Sequence, residues 1–175
     1  VALATIADLA ALLRRDIDEE DASALAALDT ASAFVEAYLG QTVELVEDDV
    51  ETMDGSGTRV LLLPAYPVTE VASVEVDEEE LTEGDDYAWS RTGELRKLTG
   101  TWPATLRSVV VTYSHGYATI PAAIVGVVAS VAARLYDAPL SVKQESIGSY
   151  SVTYTGGGAS FQAAELVVLD RYKRA

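Results

Sequence analysis

Apolar positions along this chain change their spacing twice. Helical spacing at both ends flanks a middle stretch of alternation. Thr5 suits the N-cap of a short helix, Ile6 to Arg15, with Ile6, Leu9, Ala10 and Leu13 on one face. Asp18 opens a longer helix through Leu39, and Glu19, Glu20 and Asp21 favour its positive end. Leu25, Leu28, Ser32, Val35 and Leu39 form one stripe along it, and Ala24, Ala27, Ala31, Phe34 and Tyr38 form a second. Two stripes predict two packing partners, within the fold or in a neighbouring subunit. Gly40 supplies the stop.

From Val43 to Tyr117 the period falls to two. Strands are predicted at Val43–Thr52, Thr58–Leu63, Val68–Val76, Tyr87–Ser90, Glu94–Leu98 and Ser108–Tyr113. Turn residues separate them: Asp54-Gly55-Ser56-Gly57, Glu83-Gly84-Asp85, Thr92-Gly93 and Trp102-Pro103. Pro121 then fits the first position of a third helix running to Asp137. No charge lies between Tyr117 and Ala133; the stretch is too short and too rich in small residues to span a membrane, which predicts a helix buried on all sides. Beyond Pro139, Tyr150, Val152 and Tyr154 alternate with Ser149, Ser151 and Thr153. This strand is expected to pair with the β-insertion or with a neighbour's sheet edge. Gly156, Gly157 and Gly158 read as a hinge before a final helix, Phe161 to Arg174, capped by Ser160. The predicted fold class is α+β: a helical bundle core of about four helices, 1–42 and 117–175 with a C-terminal arm, carrying an inserted antiparallel β-subdomain at 43–116.

Composition narrows the function. The chain has no cysteine, which excludes disulfides and thiolate metal sites and fits a cytosolic origin. Val1 to Arg15 has no basic segment ahead of an apolar run, so no signal peptide is expected. Net charge is −16, with 24 acidic and 7 basic side chains before residue 117 and 4 acidic and 5 basic after it. Such a surface repels the DNA backbone, so tight DNA binding is not expected.

Candidate chemistry is sparse. His115 is the only histidine, no Gly-x-Ser-x-Gly elbow accompanies it, and it reads as a turn or packing residue. Glu47, Asp48, Asp49, Glu51 and Asp54 form one acidic cluster; Asp77 to Glu80, Glu83, Asp85 and Asp86 form another. Neither follows the twelve-residue calcium loop, and both read as solvated hairpin loops. No lysine follows the triple glycine, so it is not a phosphate loop. No catalytic residue, cofactor or metal is assigned, and an enzyme is not expected.

Several segments, in this order, carry a resemblance. They are Ala4-Thr5-Ile6-Ala7-Asp8-Leu9-Ala10, Ala31-Ser32-Ala33-Phe34-Val35 with Ala37-Tyr38-Leu39-Gly40, and Leu62-Leu63-Pro64 with Tyr66-Pro67-Val68. Val111-Thr112-Tyr113-Ser114-His115-Gly116-Tyr117 with Ile120-Pro121 follows, then Glu145 to Tyr154, then Leu169-Asp170-Arg171-Tyr172. Together they resemble the head-to-tail connector, or adaptor, proteins of siphophages, especially those of actinobacterial hosts. The resemblance implies a structural virion protein of the neck, made in the host cytoplasm and assembled as a dodecameric ring. Its implied partners are the portal, a tail-side stopper or terminator protein, further copies of itself, and double-stranded DNA passing through without specific binding. No membrane is involved. The long β-insertion departs from the smaller, all-helical members.

On that reading Phe161, Leu166, Leu169, Arg171, Tyr172 and Arg174 are candidates for a portal-binding arm swung on Gly156–Gly158. Leu25, Leu28, Val35, Tyr150, Val152 and Tyr154 are candidates for subunit contacts. The alternatives are another tail-completion or stopper protein, a soluble enzyme with an unrecognised site, and a bacterial binding module unrelated to phage.

Overall fold

Side-chain caps set where the first two helices begin. The computed structural model describes residues 2–137, 144–147, 150–153 and 160–173, with side chains in 2–137 and 160–173. Helix α1 is Ile6–Leu13. The Thr5 hydroxyl accepts from the Asp8 amide while the Asp8 carboxylate accepts from the Thr5 amide, a reciprocal capping box. Helix α2 is Ala22–Leu39 and starts four residues later than its acidic run predicts. The reason is local: Asp21 accepts from the Ser23 and Ala24 amides, whereas Asp18 is used in a preceding turn. Gly40, at φ +73, ends α2 in the left-handed region.

The chain folds as two units, one from Val1–Gly40 with Ile120–Ala175 and one from Gln41–Thr119. In the first, α1 and α2 pack on α3, Ala122–Asp137. Leu9, Leu28, Val35, Ile124, Val128 and Val131 are buried there, interleaved with Ala24, Ala27, Ala31 and Ala132. The alanines let the helix backbones approach closely. Most of both stripes of α2 turns inward and makes one wide face, with Leu25 left exposed and Phe34 and Tyr38 half-buried. Ser32 is buried with them, and its hydroxyl donates to the Leu28 carbonyl and accepts the Leu3 amide. Helix α3 is not buried on all sides: Ala122, Ala123 and Gly126 are exposed. Its missing charge reflects small residues on the solvent side, and no helix among the described residues is long and apolar enough to cross a membrane.

The final helix, α4, is Ala163–Leu169, followed by a 3-10 turn at Asp170–Tyr172. It starts later than Ser160 predicts, with Gln162 at the N-cap and Glu165 closing the box.

The second unit is β-rich. Strands β1 (Val46–Met53), β3 (Val68–Val76), β4 (Glu79–Glu80) and β7 (Val109–His115) form an antiparallel sheet in the order β1-β7-β3-β4. Strands β2 (Val60–Leu62), β5 (Tyr87–Trp89) and β6 (Glu94–Lys97) form a second, β2-β6-β5. One core joins them: Val71, Val74, Val109, Val111 and Tyr113 from the larger sheet meet Leu61, Tyr87 and Leu95 from the smaller, with Trp102. Alternation on β7 places Val109, Val111, Tyr113 and His115 inward. Strand β4 escaped the sequence reading because its two-residue turn is Asp77-Glu78, at φ +50 and +70, where glycine or asparagine is usual.

In the first unit, β8 (Gln144–Ile147) pairs with β9 (Tyr150–Thr153), Ile147 opposite Tyr150 and Glu145 opposite Val152. The alternating tyrosine segment therefore finds its partner in the residues just before it, not in the β-insertion.

Candidate functional site

The single histidine ends β7. His115 is 4% exposed, and its Nε2 lies 3.2 Å from the Asp49 carboxylate on β1. A register shift between Val46 and Asp49 brings that carboxylate into reach. Ser114 points to the opposite side of the strand, where its hydroxyl accepts the Asp48 amide at 3.2 Å. Neighbouring residues of one strand face opposite ways, so Ser114, His115 and Asp49 do not assemble as a nucleophile–base–acid set. Packing with Tyr113, ring centroids 5.0 Å apart, makes His115 a core residue. One acidic cluster falls on β1 and just after it, the other on the β3–β4 hairpin and the turn into β5, and no group of three metal-ligating side chains converges among the described residues.

The C-terminal helix has a built attachment. Arg134, near the end of α3, donates to both Glu165 oxygens at 2.8 and 2.9 Å and reaches the Ser160 carbonyl at 3.3 Å. Burial opposes charge on Glu165, but the bonds from Arg134 and the Gln162 amide outweigh it and hold its pKa below the ordinary carboxylate value. A second cluster surrounds Tyr38 on α2. Its hydroxyl donates to Asp170 at 2.5 Å, its ring meets Phe161 at 5.5 Å, and the Lys173 ammonium sits 4.6 Å from its centroid. The bond to Asp170 raises the Tyr38 pKa. A third tie joins α3 to the start of α2: the Tyr136 hydroxyl donates to Asp21 at 2.8 Å and, with the Ala24 amide, lowers that carboxyl's pKa.

The arm candidates therefore divide. Leu169 is fully buried against its own subunit, Leu166, Phe161 and Tyr172 are half-buried, and Arg171 is exposed. Val167 is the exposed large apolar residue of α4 at 61%. Gly156–Gly158 and Arg174 lie outside the described residues. Among the contact candidates, Leu28 and Val35 are core positions and present nothing to a neighbour: α3 needs an apolar partner, and they supply it. Leu25 is 44% exposed and stays at the surface. Tyr150 and Val152 are placed by backbone register alone, and Tyr154 lies outside the described residues. Arg134 and Glu165 were missed. Their signal was present, because Arg134 is the first charge after the uncharged run and stands on an apolar helix.

The fold, a helical unit with an inserted β-rich unit and a short C-terminal helix, has counterparts among solved structures. The chain is similar to a subunit in the neck of a native GTA particle computed with C12 symmetry, with a TM-score of 0.60, 17% identity, and 100% of this chain and 93% of that one covered. It is also similar to a subunit in the neck of an empty GTA particle computed with C6 symmetry, with a TM-score of 0.57, 16% identity, and coverage of 97% and 89%. No curated protein matches it significantly in sequence. The family model for the head completion protein (HCP) matches residues 2–175, so the chain belongs to the head completion protein family.

Proposed function

We propose that this chain is a head–tail adaptor of the virion neck, with a structural and not a catalytic role. Several copies form a ring between the portal and a tail-side stopper or terminator, and DNA passes through the centre. The observation that carries this reading is the family match over residues 2–175, at one with the fold-level likeness to neck subunits of phage-like particles. Those necks were computed with twelvefold and sixfold symmetry. A dodecamer of this chain fits that likeness and the need for a heterologous contact that closes. A net charge of −16 suits a conduit that lets DNA slide without gripping it.

In this reading the segment 160–173 is the portal-facing arm. It is tied to α2 and α3 by polar bonds beside the buried Leu169, and polar partners can be exchanged for others on docking. Leu25 and the β8–β9 hairpin are the remaining candidates for lateral contacts. The test mixes the full chain, and a chain lacking residues 161–175, with the portal ring and images the products by electron microscopy. Full-length chains are expected to form a ring on the portal; truncated chains are expected to stay folded and unbound. Undiminished binding by the truncated chain overturns the arm, and a full-length chain indifferent to the portal overturns the adaptor.

A further inference from the structure

The β-rich unit holds one apolar side chain far out on a rigid support. Residues 102–107 form a loop rooted on Trp102, which is 1% exposed. Loop 54–58 is stitched to it. The Gly55 amide donates to the Thr105 carbonyl at 2.9 Å, Gly57 to Pro103 at 3.0 Å, and Trp102 to Thr58 at 2.8 Å. The Arg107 amide donates to the Asp54 carboxylate at 2.8 Å. The fit is tight enough that a Cβ on Gly55 would stand 2.1 Å from the Pro103 oxygen. On this support Leu106 is 77% exposed, the most exposed large hydrophobic side chain among the described residues.

Rigidity separates this leucine from an ordinary exposed one. A side chain on a loose loop loses binding energy to ordering, whereas a preorganised one does not. The surroundings then specify the partner. Arg107, the next residue in the chain after Leu106, lines a cleft with Glu75, Asp77 and Glu78, so that cleft is net negative. The whole unit carries 16 acidic and 5 basic side chains. A second copy of this unit brings the same charge and is repelled, as is DNA. A different protein with a basic border is attracted.

We propose that Leu106, one residue along the chain from the acidic cleft that Arg107 shares with Asp77 and Glu78, is a plug for an apolar pocket rimmed by Lys and Arg on a different protein of the particle. This goes beyond the adaptor reading by giving the β-insertion its own partner, and it depends neither on the C-terminal arm nor on ring size.

The test places a photo-crosslinking benzoylphenylalanine at position 106 of the full chain in assembling particles. Position 50 serves as control, because Val50 is 61% exposed on the same unit. Position 106 is expected to give one adduct with a single other protein, through a peptide containing Lys or Arg. Asp77→Lys with Glu78→Lys is expected to cut that adduct about tenfold, and Leu106→Asp to cut tail attachment by a similar factor. Circular dichroism of each variant confirms folding, and portal occupancy in the same samples reads the adaptor role separately. An adduct joining two copies of this chain overturns the proposal. So does no adduct, equal yield from position 50, or indifference to the charge reversal.

Discussion

The two units solve the same stability problem with charge used differently. The helical unit carries 12 acidic and 7 basic side chains, the β-rich unit 16 and 5. In the helical unit, charge is used internally: Arg134 with Glu165 and Tyr38 with Asp170 tie α4 down. In the β-rich unit the charge faces water, and order comes from backbone bonds between loops and from glycines with no room for a side chain. Polar ties are exchangeable and backbone stitching is not. The helical unit holds its last helix partly through side-chain charge; the β-rich unit holds its loops through backbone bonds.

That contrast breaks most sharply at Gly116. It sits at φ +95, and a Cβ there would stand 2.2 Å from the Glu44 carbonyl oxygen. Gly116→Ala is expected to cost about 3 kcal/mol or more through strain and displaced backbone. The loss should appear in hydrogen exchange of β7 and β1 while α2 and α3 keep their protection. Uniform loss across both units would mean that they unfold as one. The mirror experiment is Leu28→Ala, which empties a fully buried site between α2 and α3 and is expected to cost roughly 3 kcal/mol in the helical unit alone.

A smaller effect sharpens the idea of an exchangeable tie. Glu165→Gln keeps the shape of the side chain but removes the charge facing Arg134, whose own side chain is partly exposed. The expected cost is about 1 kcal/mol, confined to α4 and read as faster hydrogen exchange there. The same tie predicts a pH dependence. The folded Glu165 pKa lies below its unfolded value, so its contribution is present above the unfolded pKa of about 4.5. It is lost as the pH falls through the lower, folded pKa. Protection of α4 should therefore drop in acid; unchanged α4 exchange below that range would remove the carboxylate from the account. Least of all, Leu25→Ser should alter folding stability by no more than about 0.5 kcal/mol, since the side chain is 44% exposed. If Leu25 is a lateral contact, ring assembly seen by electron microscopy should fall nonetheless.

Much of the fold was legible because local signals agreed with one another. Thr5 and Gly40 marked helix ends, and β3 fell at Val68–Val76 as its alternation indicated. The site was less legible. An exposed and a buried apolar residue share the same spacing on α2, so Leu25 and Leu28 looked alike until α3 covered one of them. Leu106 gave no signal at all, since a leucine in a Pro-Ala-Thr-Leu-Arg loop reads as a buried anchor as readily as an exposed one.

The amino-acid order alone determined the helical ends and the β-rich middle, the absence of thiol chemistry, and an acidic surface at odds with gripping DNA. Periodicity, caps and charge are properties of neighbours along the chain. The tertiary structure decided which stripe is core, that Arg134 meets Glu165, and that two distant loops hold Leu106 out to solvent. Those outcomes depend on which surfaces meet across 31 or more residues of chain, and no local pattern encodes that meeting.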